Sequence, residues 1–186
     1  MRPSEIIECL ELNPVIAAIR DDGWDAALRS PAQVLFYLSA DLTTVNTKIQ
    51  QAHTAGKILL IHLDVAEGIG KDRSGVRYLT QKGVDGIIST KGQIIRSARE
   101  LGLLTVQRFF ALDSKGMESI EEMLRTSTPH LVEIMPGVIG KAIQRFTGCG
   151  IPIIAGGLIE TKAEVTEAIS CGAAAVSTGK ETLWYL

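Results

Sequence analysis

The sequence predicts an α/β fold, specifically a compact single-domain (β/α)8 barrel of the TIM type. Eight apolar runs recur from one end of the chain to the other, and segments with helical periodicity separate most of them. Most runs are nearly continuous in apolar residues, as expected for parallel strands that are covered on both faces. Such barrels typically need about 250 residues. Since this chain has 186, each unit must be short, and a doubly wound open sheet is the alternative.

The predicted strands are short and rich in β-branched residues. In chain order they cover residues 14–20, 33–38, 57–64, 84–89, 103–109, 130–135, 151–155 and 173–178. From the second strand onward, the predicted helices cover residues 43–53, 72–82, 92–100, 114–124, 138–146 and 161–170. Residues 4–12 are a helical lead-in, residues 21–30 a short connection, and residues 180–186 a last, truncated helix.

Helix ends are marked by capping residues. Thr161 and Glu164 have the spacing of a capping box. A glycine stands just past a helix and before the next strand at Gly56, Gly83, Gly102 and Gly172. Because no linker or low-complexity tract interrupts this alternation, we predict one domain over residues 1–186.

Composition and charge narrow the class of protein. Hydrophobic residues make up 46% of the chain, which excludes a disordered protein. No apolar run approaches the roughly 20 residues that a membrane span needs. Glu5, Glu8 and Glu11 interrupt the place where a signal peptide is continuously apolar. We therefore predict a cytoplasmic protein with no membrane partner. The net charge of −2 gives no global basic surface of the kind that nucleic-acid binders show.

The cysteines give no sign of a metal site. Cys9, Cys149 and Cys171 are odd in number and far apart, without the spacing of metal ligands. We expect them to be small buried hydrophobic residues.

Two adjacent glycines, Gly156 and Gly157, follow the seventh predicted strand, and Ser177 and Thr178 end the eighth. In a TIM-type barrel the site lies at the C-terminal ends of the strands, and a phosphate often binds between the loops after strands 7 and 8. Glycine lets backbone N–H groups come close to an anion, and hydroxyl groups add donors. The pattern predicts a phosphate-bearing ligand, with two ordinary tight turns as the alternative.

Residues at the other strand ends predict the rest of the site. They are Arg20, His62, Asp64, Lys91, Gln107, Glu133 and Gly137. His62 and Asp64 are two residues apart in the third predicted strand and therefore share a face. Gln107 and Arg108 point to opposite faces.

Glu133 interrupts an apolar strand, where a carboxylate is costly unless it is paired or hydrated. It therefore favours a polar barrel mouth, and a structural ion pair with Arg20 or Arg108 is its alternative. For His62 the alternative is a hydrogen-bonded core histidine, and for Lys91 it is an exposed loop cation.

The same residues allow catalytic roles. Glu133 or Asp64 could act as a general base, and Lys91 as an imine-forming amine. This combination would suit an isomerase, lyase or synthase acting on a small phosphorylated metabolite. Polar groups at a barrel mouth also recognise ligands, and spacing does not separate the two roles, so we assign no catalytic residue.

Seven strings of the sequence occur together and in order. They are NPVIAAIRD (13–21), GKILLIHLDVAEGI (56–69), DGIISTK (85–91), LLTVQRFFALDS (103–114), VEIMPGV (132–138), PIIAGGLI (152–159) and GAAAVST (172–178). With them the chain resembles the glycerol uptake operon antiterminator family over nearly its whole length. The string from Thr105 to Phe110, EIMPGV and PIIAGGLI are specific, whereas IAGG and VST occur in many phosphate-binding barrels.

The resemblance implies a regulator rather than an enzyme. Family members are compact barrels that respond to glycerol 3-phosphate, bind the mRNA leader of glycerol-utilisation genes and prevent premature termination of transcription. It implies an effector and no cofactor. The implied phosphate ligands are Gly156, Gly157, Ser177 and Thr178. The residues implied to face the glycerol hydroxyls are His62, Asp64, Lys91, Gln107 and Glu133. Gly179 and Lys180 depart from the more polar, amide-rich residues that relatives tend to have there.

RNA binding rests on this resemblance alone, because the chain has no RNP string and no GXXG clamp. Phe110 is a candidate for base stacking or for helix packing. The basic candidates are scattered, at Arg73, Arg77, Lys82, Arg96, Arg99, Lys141 and Arg145. Arg96 and Arg99 share a helix face that either contacts phosphates or is simply solvated. With a negative net charge, RNA binding needs basic residues segregated on one side or across a homo-oligomer. A sensor that acts through another protein is a third possibility.

Overall fold

The computed structural model describes residues 3–186, which form a closed barrel of eight parallel strands. The strands are β1 (Val15–Ile19), β2 (Val34–Tyr37), β3 (Ile58–His62), β4 (Gly86–Ser89), β5 (Leu104–Phe110), β6 (Leu131–Met135), β7 (Ile153–Gly156) and β8 (Ala175–Thr178). Each strand pairs with the next along the chain, and β1 closes the barrel against β8, with Ile16 opposite Ser177. The predicted (β/α)8 fold is confirmed, and an open sheet is excluded.

Helices precede the barrel and connect its strands. They are α1 (Pro3–Leu12), α2 (Trp24–Arg29), α3 (Val45–Thr54), α4 (Arg73–Lys82), α5 (Gly92–Glu100), α6 (Ser114–Ser127), α7 (Gly140–Phe146) and α8 (Lys162–Ser170). The tail is a 3-10 helix over Glu181–Tyr185 rather than an α-helix. Strand β3 ends at His62, so Asp64 lies in a 3-10 turn beyond the strand in which it was predicted.

The predicted helix ends are confirmed. Thr161 and Glu164 form a reciprocal capping box at the start of α8. The glycines after the helices all have positive φ angles, from 70° at Gly56 to 101° at Gly172. The prediction that the cysteines are buried is confirmed for Cys171 and is wrong for Cys149, which is exposed; Cys9 is half-buried.

Apolar side chains fill two layers. One lies between the strands and the helices, where residues such as Leu35 and Ile134 are fully buried. The other fills the barrel interior, and Leu10 of α1 packs in the same cluster as Val34 and Leu104 at the beginnings of their strands. Helix α1 therefore covers the N-terminal end of the barrel.

The C-terminal end of the barrel interior is polar. In β5 the side chains of Leu104 and Val106 lie in the interior cluster, and Arg108 continues the same alternation. Since Glu133 and Ser177 are buried at the corresponding level of β6 and β8, charged and polar groups meet at this end.

The longest of these helices, α6, has 14 residues. Within residues 3–186, none is long and apolar enough to cross a membrane.

Close packing inside the barrel generates a stability prediction for Gly86. A Cβ atom there would lie 2.8 Å from Leu104 Cβ and from Leu60 Cγ. We expect Gly86→Ala to lower the free energy of unfolding by about 1–3 kcal/mol, because a filled core tolerates no added methyl group without a shift. Urea denaturation measures the change.

The matched control is Gly148→Ala, where no atom lies within 4 Å of the added Cβ. This variant should be unchanged, or more stable by up to about 1 kcal/mol, because alanine restricts the unfolded chain. Equal stability of the two variants would contradict close packing at Gly86.

Candidate functional site

A cavity of about 640 Å³ opens at the C-terminal end of the barrel. The loops after β1, β7 and β8 form its walls, and side chains of β5 and β6 form its inner end. The predicted site residues that line it are Arg20, Glu133, Gly157, Ser177 and Thr178. Its volume suits a small metabolite.

An ion pair closes the inner end of the cavity. The Glu133 side chain is fully buried, and Arg108 Nε donates to its Oε2 at 2.5 Å. The hydroxyl of Ser177 donates to the other carboxylate oxygen, Oε1, at 2.5 Å. Both oxygens therefore have donors, which offsets the desolvation of the buried carboxylate. Of the two partners considered for Glu133, Arg108 is the one that the structure shows; Arg20 is exposed on the loop after β1.

His62 extends this group of buried polar side chains. Its Nδ1 lies 3.3 Å from Arg108 Nη1. Because a guanidinium only donates, Nδ1 must accept, and the proton of a neutral His62 is assigned to Nε2. That Nε2 is buried without a hydrogen-bond partner among the described residues and lies 3.7 Å from Asp64 Oδ2.

Asp64 connects the loops after β3 and β4. It accepts hydrogen bonds from Ser89 Oγ at 2.6 Å and from Thr90 N and Oγ1, each at 2.7 Å. Burial alone would raise the pKa of Asp64, but the His62 ring and these hydrogen bonds hold that pKa well below its ordinary 3.8. A carboxylate with so low a pKa is a weak proton acceptor, so the geometry suits a structural role.

The loops after β7 and β8 are tied together through Thr178. Its hydroxyl donates to Ile159 O at 2.7 Å and accepts from Lys180 N at 3.0 Å. Trp184 in the tail donates from Nε1 to Thr178 O at 2.9 Å and lines the cavity. Gly157 has a φ of +77°, in the left-handed region that favours glycine.

Two further predicted residues, Gly137 and Gly156, do not line the cavity but contact the strands and loops that form its wall. The Gly137 N–H donates to Gly156 O at 2.6 Å, which joins the ends of β6 and β7. A Cβ on Gly156 would collide with the Glu133 carboxylate and the Ser177 hydroxyl. Glycine at 156 therefore makes room for a buried carboxylate.

Four residues that were predicted to face the ligand do not line the cavity: His62, Asp64, Lys91 and Gln107. Gln107 points outward from β5, where its Oε1 accepts a hydrogen bond from Ser127 of α6. The alternation of β5 turns Arg108 inward instead, so the assignment of Gln107 to the mouth is corrected. Lys91 is exposed at the start of α5, which agrees with its alternative interpretation as an exposed cation.

Several residues of the cavity wall were not predicted as site residues, among them Arg108, Lys180 and Trp184. Arg108 was considered only as a possible partner of Glu133, because the uniform burial of β5 from Leu104 to Phe109 does not show which side chains face the barrel interior. Lys180 was noted only as a departure from relatives, and nothing in the pattern pointed to Trp184.

Three of the residues considered for RNA contact have partners within the chain. Arg73 pairs with Glu100 at 2.7 Å, Arg145 pairs with Glu121 at 2.9 Å, and Arg99 donates to the backbone oxygen of Thr128. Phe110 is 51% exposed, so half of its surface is accessible and half is covered by the protein.

No group of three or more His, Cys, Asp or Glu residues is placed to hold a metal ion in the part of the chain that the structure describes.

The hydrogen bonds to Asp64 generate a pH prediction. The pKa of Asp64 is lower in the folded chain than its ordinary value of 3.8. At a pH between these two pKa values, the carboxylate takes up a proton in the unfolded chain but not in the folded chain. The stabilisation is therefore complete at neutral pH and is lost as the pH falls below about 5. We expect Asp64→Asn to be less stable than the parent by about 2 kcal/mol at pH 7, and by clearly less at pH 3.

Urea unfolding at both pH values measures this difference. Glu118→Gln, at an exposed position of α6, is the control and should give a small difference at either pH. A deficit of Asp64→Asn that does not shrink at pH 3 would contradict the charged role of Asp64.

Comparisons with known proteins cover nearly the whole chain. The family model for the glycerol-3-phosphate responsive antiterminator matches residues 15–184. The chain is 32% identical over 184 residues to the uncharacterized protein YgcP of Escherichia coli strain K12, covering 97% of this chain and 96% of that protein.

Two solved structures are similar at 31% identity. The glycerol uptake operon antiterminator regulatory protein of Listeria monocytogenes has a TM-score of 0.88, covering 92% of this chain and 95% of that one. The glycerol uptake operon antiterminator-related protein of Thermotoga maritima has a TM-score of 0.83, covering 91% and 96%. The chain belongs to the glycerol-3-phosphate responsive antiterminator family.

Proposed function

We propose that this protein binds glycerol 3-phosphate as its effector and, with it bound, binds the mRNA leader of glycerol-utilisation genes in the cytoplasm. The chain belongs to a family that responds to glycerol 3-phosphate. The observation that supports an effector site in this chain is the cavity between the loops after β1, β7 and β8. This is the place where TIM-type barrels often hold a phosphate.

The outer part of the cavity has the donors that a phosphate needs. Gly157 and Gly179 bring the backbone of two loops to the cavity wall, and Lys180 and Arg20 supply cationic groups beside them. Ser177 and Thr178 already use their hydroxyl groups in hydrogen bonds to Glu133 and Ile159. We therefore assign the phosphate to the backbone and the cations of these loops, with Ser177 and Thr178 shaping them.

The groups considered for catalysis support a regulator rather than an enzyme. Both carboxylate oxygens of Glu133 accept hydrogen bonds, and Asp64 has a lowered pKa. Lys91 lies outside the cavity. A base or an amine in these surroundings is poorly placed to attack or deprotonate a bound metabolite.

The loops around the effector site are mechanically linked. The Gly137 N–H donates to Gly157 O at 3.1 Å, and Thr178 joins the loops after β7 and β8. A ligand that contacts Gly157 and Lys180 therefore acts on the loops after β6, β7 and β8 together. We propose that the ordered loops favour an RNA-binding state or a homo-oligomer, to the extent of the ligand's differential affinity for the two states.

The effector proposal predicts a ligand-dependent thermal shift. Glycerol 3-phosphate at a hundredfold excess over its dissociation constant should stabilise the protein by about 2.7 kcal/mol and raise Tm. Lys180→Gln should weaken binding by about tenfold, because it removes a cation beside the phosphate. Fluorescence of Trp184, measured in a Trp24→Phe background, gives an independent titration.

Lys115→Gln is the matched control, since this lysine is exposed on α6 and outside the cavity. It should bind glycerol 3-phosphate as the parent does. A protein that converts the ligand to a product, or that prefers another phosphorylated compound, would contradict the effector assignment.

The regulator proposal predicts ligand-linked RNA binding. In filter-binding assays, a leader transcript of a glycerol-utilisation operon should bind about tenfold more tightly with saturating glycerol 3-phosphate than without it. Its affinity should fall with salt, because phosphate contacts release counterions. Equal affinity with and without the ligand would contradict the proposal, and a scrambled transcript of the same length is the control.

A further inference from the structure

The two ends of the cavity differ in chemistry. The outer end holds Arg20 and Lys180, together with the exposed carboxylates of Asp22, Glu160 and Glu181. These groups are in contact with water, which screens their charges. The inner end holds Glu133 with no exposed surface and Arg108 with 8%. A bound ligand therefore interacts more strongly with charges at the inner end of the cavity than with charges at the outer end.

The positive charge at the inner end of the cavity is already balanced by a carboxylate. The Arg108 guanidinium is paired with Glu133 at 2.5 Å, and its Nη1 faces the ring of His62. The charge of Arg108 is thus already matched by Glu133, so a ligand anion at the inner end would have no free counter-charge in a desolvated place.

We propose that Glu133 makes this cavity selective for phosphomonoesters of neutral polyols, and against phosphate esters that carry a second anionic group at the other end. The inference rests on the proposed effector site, which it deepens by giving the ligand a direction. The phosphate lies at the outer end, and the hydroxyl groups lie at the inner end, next to the Arg108–Glu133 pair.

Hydrogen-bonding capacity supports this direction. A neutral hydroxyl group can accept from a free N–H of Arg108 without drawing its charge away from Glu133, so it fits the pair without breaking it. A ligand carboxylate can accept from the same N–H groups. It would then compete with Glu133 for one cation, and two buried anions would share a single positive charge.

The first experiment compares glycerol 3-phosphate with 3-phosphoglycerate by calorimetric titration. The two compounds share the phosphate and the central hydroxyl, and they differ in a terminal CH₂OH against a carboxylate. The parent protein should bind glycerol 3-phosphate at least about 30-fold more tightly, because a buried charge without a partner is costly. This comparison needs no variant and stands even where a substitution prevents folding.

The second experiment assigns the selectivity to Glu133. In Glu133→Gln the shape is kept, but Arg108 loses its counter-charge and can pair with the ligand carboxylate. The ratio of the two dissociation constants should fall by at least about tenfold. Glu118→Gln is the control, since it removes an exposed carboxylate of α6 outside the cavity and should leave the ratio within about twofold.

The outcomes separate this inference from the proposed function. Equal binding of both compounds by the parent would overturn the selectivity and leave the effector site in place. A ratio that stays the same in folded Glu133→Gln would overturn the role of Glu133. Binding of neither compound would overturn the effector site and the inference with it.

Discussion

The ion pair between Arg108 and Glu133 determines much of the structure around the barrel mouth. A fully buried carboxylate is stable only when its charge and its lone pairs are matched, and here Arg108 and Ser177 supply both. Their positions on β5, β6 and β8 fix which side chains of those strands point inward. The same carboxylate leaves no space for a Cβ at Gly156. The first of the two adjacent glycines is therefore explained by a neighbour inside the barrel, whereas Gly157 is explained by its left-handed φ.

Further polar contacts connect this pair to the loops around the barrel mouth. Arg108 contacts His62, which stands beside Asp64, and Asp64 holds Thr90 in the loop after β4. On the other side, Ser177 precedes Thr178, which fixes the loops after β7 and β8. Polar groups that could serve chemistry are thereby used to hold backbone segments in place. This use of charge is consistent with a barrel that binds a ligand and presents a surface.

The barrel itself was predictable, because eight apolar runs with helical segments between them leave few other arrangements. The position of the cavity was also predictable, since strand order alone placed the loops after β7 and β8 next to each other. The inward side of β5 was not. Its side chains from Leu104 to Phe109 are all buried, so the hydrophobic pattern does not distinguish the barrel interior from the helix layer. Gln107 and Arg108 were separable only through their partners on α6 and β6.

The buried pair also bears on how a ligand could act on such a protein. Binding energy changes a conformational equilibrium only when the two states bind the ligand differently. The inner end of the cavity is formed by side chains of β-strands, so it suits recognition. The outer end consists of loops, including Leu158, which is exposed and has a φ of +62° that is costly for leucine. In the proposed effector complex, a phosphate on these loops would stabilise one of their conformations, and the polyol end would supply affinity and direction. Recognition and response would then belong to opposite ends of the proposed ligand.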